Sequence, residues 1–233
     1  MPVSFTLGVM LIPGPTMPPL DAAYEYLAEL RAKLPVELRK DSLTQYSKIP
    51  FKASSLHGLL GHRTWHLGTA ALMLFQQNHR LAGIIVTRSI LETVAVAYAL
   101  QRRIQKYLHS ASDQSLDSYL MKLLIASGAP DAKHPAMNIS GLVNSLDKRI
   151  TGFKTSYNEL SEFVHPNWSG TLGSFGSIDE STDALFYGAS NDPVDDGVGL
   201  GALAGSVGVF SEIYSELIPL LVDLNSRFTS SKE

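Results

Sequence analysis

Residues Phe153–Gly170 read FKTSYNELSEFVHPNWSG. Taken as a helix, this stretch ends at a His-Pro-Asn, because a residue that precedes proline is biased away from the α region. Tyr157, Ser161 and His165 are spaced four apart and would stack on one helical stripe, with Leu160 and Val164 packing beside them. His165 then falls at the helix C-terminus, where the backbone dipole favours an imidazolium. A histidine in that position can serve as a general acid or base toward a ribose hydroxyl or a phosphate. It can equally well cap the helix and hydrogen-bond a neighbour.

Outward from this stretch, the next decisive segment is Arg88–Thr93, RSILET, inside LAGIIVTRSILETVAVAYAL (81–100). The segment is apolar nearly all round until Gln101, which predicts a central helix from Arg80 to about Leu108 surrounded by other helices. Its length would span a bilayer, but Arg88 and Glu92 lie near its middle, where charge is expensive in lipid, so no membrane span is expected. Leu81, Ile84, Ile85, Arg88, Leu91, Glu92 and Ala95 share one face, which places the Arg88–Glu92 pair on a stripe expected to be buried. Two readings stay open. The pair holds helix register as a buried ion pair, or its arginine faces phosphate in a polar site.

The remaining helices follow from caps and apolar spacing. Asp21 is expected to cap a helix reaching Leu34, and Ser54 or Ser55 to cap a long one through Gln77. Gly58, Gly61 and Gly68 in the latter lower helix propensity and suit close helix packing. Asp113 or Ser115 to Ile125 or Ala126, Ser140 to Ile150, and Ala202 to about Phe228 complete the set, the last kinked at Pro219. Thr171–Ile178 and Ala184–Ser190 are expected to pair as a β-hairpin. Residues 1–20, with Pro2, Pro13, Pro15, Pro18 and Pro19, read as an extended arm with one short strand at Ser4–Leu11, and residues 21–233 as one helical-bundle domain.

With 233 residues, 45% hydrophobic and 18% charged, the chain is long enough to bury a sizeable core. A formal charge of −3 argues against a whole-surface nucleic-acid binder, while a local site stays open. The absence of cysteine removes disulfides and thiolate metal sites and fits a cytoplasmic setting. No basic region precedes the short, proline-broken apolar run at the N-terminus, so no signal peptide is expected. His62 and His66, flanked by His57, have chelating spacing, and a metal bound by His62, His66 and Glu92 is one reading. Neutral, hydrogen-bonded imidazoles on a helix face are the preferred one, and no metal and no cofactor are expected. Gly199, Gly201 and Gly205 follow no βαβ strand and are discounted as a phosphate loop.

RSILET in a long apolar helix, followed by YNELSEFVHPN and a hairpin, resembles an uncharacterised bacterial all-helical family related to the HEPN superfamily (higher eukaryotes and prokaryotes nucleotide-binding). The resemblance covers roughly residues 54–190. It implies a bundle of four or five helices, often dimeric, and in many members a metal-independent ribonuclease of a toxin or phage-defence system. The signature of that activity is an arginine separated by four to six residues from a histidine on one helix. Here the corresponding positions are Leu160, Glu159 and Asn158, none of them basic, so Arg88 would have to supply the cation from another helix.

The expectation is thus a mainly α bundle with a small β-hairpin near 171–190, cytoplasmic, homodimeric, with RNA or a nucleotide as partner. In a catalytic version His165 exchanges a proton with a 2′-hydroxyl or leaving oxygen. Arg88 stabilises phosphate charge, Glu92 holds Arg88, and Tyr157, Ser161 and Asn167 contact substrate. The alternative is a non-catalytic interaction or small-ligand module in which the same clusters are structural.

Overall fold

The computed structural model describes residues 17–110, 116–126, 129, 136–188 and 196–230, with the side chains at 196–198 and 230 excepted. Helices α1 (Pro19–Lys33), α2 (Ile49–Gln76), α3 (Arg80–His109) and α8 (Asp196–Ser230) form the main bundle. Against it lie α4 (Leu116–Ile125), α5 (Ile139–Asp147) and α6 (Phe153–Val164). A four-residue helix, α7 (Leu172–Phe175), leads into strands β1 (Gly176–Asp179) and β2 (Ala184–Tyr187). The protein is mainly α with a small antiparallel hairpin, as the sequence implies.

Helix α3 is central because its apolar residues point in several directions. Ile84, Ile90, Leu91, Val94, Ala97, Leu100 and Ile104 are all buried, and α2, α4, α5, α6 and α8 pack around them. This helix is long and apolar enough to cross a membrane, yet half of its most apolar window is buried inside the protein.

Glycines in α2 and α8 set how closely the helices approach. A Cβ on Gly61 would stand 2.7 Å from both Leu34 Cδ2 and Tyr214 Cε2, and one on Gly68 would stand 2.5 Å from Leu27 Cδ2. Their helix-propensity cost is therefore offset by contact, as the sequence suggests.

Several boundaries differ from expectation. Helix α1 begins at Pro19, with Pro18 at the N-cap and Asp21 inside the first turn, because proline is well suited to the first helical positions. By the same preference Pro50 opens α2 at Ile49, well before Ser54. Gly199, Gly201 and Gly205 lie within α8, which starts at Asp196 and not at Ala202. Residues 172–175 are helical, so β1 is confined to four residues. The strand expected at Ser4–Leu11 and the cap expected at Asp113 or Ser115 lie outside the described residues.

Candidate functional site

Helix α6 opens at Gly152, whose φ of +93° suits glycine, and closes at His165, which is extended with φ −85° and ψ 144°. Phe153 and Leu160 are fully buried and Ser156 nearly so, which fixes the face that α6 turns to the core. Ser161 on α6 meets Arg88 on α3, and Tyr157, one turn earlier, reaches forward to Glu92. The two helices therefore run antiparallel, and the chain after Val164 leaves beside the N-terminal half of α3.

Four of the expected site residues meet on this seam. Arg88 Nε donates to Ser161 Oγ at 3.0 Å, Arg88 Nη2 donates to Tyr157 Oη at 2.6 Å, and Arg88 Nη1 lies 3.1 Å from Glu92 Oε1. Tyr157 Oη in turn donates to the same Glu92 Oε1 at 3.2 Å, and Ser161 Oγ donates to the Tyr157 carbonyl at 2.7 Å. The Arg88 guanidinium also lies 4.8 Å from the centre of the Tyr157 ring, in cation–π range. Burial pushes the Tyr157 hydroxyl above its ordinary pKa, with the Arg88 charge opposing. It therefore remains a protonated donor toward Glu92.

The pair is less buried than its stripe implies. The side chains of Arg88 and Glu92 keep 25% and 26% of their surface exposed, and neighbouring Ile85 is exposed as well. In this ring of bonds one N–H on each Arg88 Nη and the Glu92 Oε2 are not used.

His165 and Asn167 are not joined to this cluster by any hydrogen bond or ion pair among the described residues. His165 is exposed beyond the end of α6. Its carbonyl accepts from Asn167 N at 2.8 Å, and it stands 2.1 Å from where a Cβ on Gly170 would be, so this turn tolerates no side chain at Gly170. Asn167 is engaged locally. Its Nδ2 donates to Glu162 Oε2 at 2.8 Å, and its Oδ1 accepts from Gly170 N at 3.2 Å. That is an Asx-type turn closing the chain behind the helix.

The histidines of α2 are held separately. His57 is buried, stacked at 3.8 Å on the Tyr214 ring, with Nε2 donating to the Tyr214 carbonyl at 3.0 Å. Burial lowers its pKa, and the carbonyl contact opposes that shift. His62 Nε2 donates to the Pro35 carbonyl at 2.9 Å. Among the described residues no group of three or more His, Asp or Glu is placed to hold a metal ion.

A second polar network escaped the sequence reading. Arg149 forks onto Glu216, with Nη1–Oε2 and Nη2–Oε1 both at 2.9 Å, and it also reaches Glu212 at 3.0 Å and Gln101 at 3.1 Å. Gln101 Nε2 adds a 2.5 Å bond to Glu216. The one visible signal was Gln101 itself, the first polar residue after the apolar run of α3. The network ties α8 to α3 and to the turn after α5, with charge-assisted fork geometry.

Comparison of the chain with protein-family models, curated proteins and solved structures finds no match.

Proposed function

We propose that the chain binds RNA or a nucleotide through the α3–α6 seam, making contact by the edge of a base rather than by phosphate. The observation that carries this reading is the closed ring among Arg88, Glu92, Tyr157 and Ser161. The ring neutralises Arg88 with Glu92 and leaves two N–H donors beside one carboxylate oxygen. A net-neutral edge with donors and an acceptor side by side complements a nucleobase, where arginine donates to ring nitrogen or carbonyl and a carboxylate accepts from an amino group. A phosphate would meet the Glu92 charge as well as the arginine.

The bonds within the ring hold the guanidinium in place before any ligand arrives, so little side-chain entropy is lost on binding. The reading carries with it a cytoplasmic homodimer. Cleavage in this reading rests on His165, an exposed imidazole just past the end of the same helix.

A second reading, a non-catalytic protein-interaction module, is supported by charge. From Thr155 to Ser226 the chain contains no Lys or Arg, so α6 after Lys154, α7 and the hairpin bring carboxylates and no Lys or Arg to set beside Arg88, which disfavours a polyanion.

Labelled single-stranded RNA titrated in EDTA separates the two. Binding that weakens in Glu92→Gln supports a base-edge contact, because an acceptor is lost. Binding that strengthens in Glu92→Gln means phosphate contact, and no binding by the wild type favours the interaction module.

A further inference from the structure

Neither strand of the hairpin has a buried residue. Its register pairs Gly176 with Tyr187, Ser177 with Phe186, Ile178 with Leu185 and Asp179 with Ala184. Cross-strand partners share a face, so Ile178, Leu185 and Tyr187 lie on one side and Phe186 on the other. Tyr187 is 88% exposed, Phe186 58% and Trp168, in the turn before α7, 62%. Ile178, Leu185 and Phe175 are exposed too. Helix α7 is the element that packs on β1, with Leu172 Cδ1 and Leu185 Cδ1 crowding the α-carbon of Gly176. A two-stranded hairpin is marginal in water by itself, and each strand here keeps one edge without a strand partner among the described residues.

Charge narrows what covers it. The tip carries Asp179, Glu180 and Asp183, and no Lys or Arg occurs between Lys154 and Arg227. Asp179 accepts from Ser181 N at 2.9 Å and from the Ser181 and Thr182 hydroxyls, which hold its carboxylate below the usual range. A second copy of the chain would bring the same acidic tip against this one. Residues 1–16 bring no charged side chain to complement it. RNA would bring further negative charge.

We propose that the β1–β2 hairpin, with Trp168 beside it, is a docking surface for an extended polypeptide that alternates apolar and basic residues. Such a segment adds as a third strand, sets its apolar side chains against Phe186 or against Ile178 and Leu185, and places its cations toward Glu180 and Asp183. Main-chain bonds supply affinity and the alternating side chains supply specificity.

The test uses the full chain and two blocked synthetic peptides, one alternating Val or Phe with Lys and the other identical but with Glu for Lys. Binding is read by anisotropy of the labelled peptide and by the indole N–H resonance of Trp168. The proposal expects the Lys peptide to bind at least about tenfold more tightly than the Glu peptide and to shift the Trp168 resonance. It expects Glu180→Lys and Phe186→Ser each to weaken binding about tenfold while the helical circular dichroism is unchanged. Equal affinity for the two peptides, or no binding of the Lys peptide, overturns it. A Trp168 resonance that moves with single-stranded RNA or with protein concentration, but not with the Lys peptide, overturns it in favour of RNA or a second copy.

Discussion

The Tyr157 hydroxyl accepts from Arg88 Nη2 at 2.6 Å and donates at 3.2 Å to the carboxylate that Arg88 faces one helical turn on. One oxygen from α6 thus closes a triangle whose other two corners both belong to α3. A salt bridge on a single helix becomes a clamp between two helices.

Tyr157→Phe keeps the ring and its packing but removes that corner. Loss of a partly exposed hydrogen-bonded hydroxyl should cost about 1 kcal/mol, read from the urea midpoint. Arg88→Ala should cost more, because it removes the Glu92 countercharge and the bonds to Tyr157 and Ser161 together. A Tyr157→Phe protein as stable as wild type would mean that the triangle contributes nothing to holding α6 on α3.

Burial against Tyr214 lowers the His57 pKa below the 6.5 of a free imidazole. Between the two values the unfolded chain binds the proton and the folded one does not, so stability falls as the solution is acidified. The melting temperature should therefore drop as pH falls from 6.5 through the lower folded value, and the drop should shrink in His57→Gln. A wild-type melting temperature flat across that window would contradict a buried neutral His57.

Glu159 gives the opposite sign. Its Oε2 is buried without a hydrogen-bond partner, and burial raises the carboxyl above its ordinary value near 4.5. The folded state holds that proton to higher pH than the unfolded chain, so stability is fully present below the unfolded value and is lost as pH rises through the folded one. Glu159→Gln should raise the melting temperature at pH 7 and lose that advantage in acid. Equal melting temperatures at pH 7 would show that the carboxylate is solvated after all.

Much of the fold was legible because its signals are local. The apolar run of α3, the His165–Pro166 stop and the glycines at 61 and 68 each act within a turn or across one contact. Four of the six expected site residues meet because i,i+4 spacing on two apolar helices leaves their polar groups one seam to share. His165 and Asn167 fall outside that seam because the chain leaves the helix at the proline, where helical spacing no longer applies. The Arg149 network was not legible, since its partners come from α3, α8 and a turn, and no spacing along the chain joins them. Helix starts at prolines were misplaced for a different reason. Proline disrupts a helix interior but suits a first turn, and the pattern alone does not say which applies.

The most direct test of the proposed function is the affinity of a labelled single-stranded RNA pool for wild type and for Glu92→Gln, in EDTA at two salt concentrations. A base-edge contact predicts measurable binding with a shallow salt dependence, weakened roughly tenfold by Glu92→Gln through loss of one acceptor. Absence of binding by the wild type, or binding that tightens in Glu92→Gln and falls steeply with salt, would contradict it.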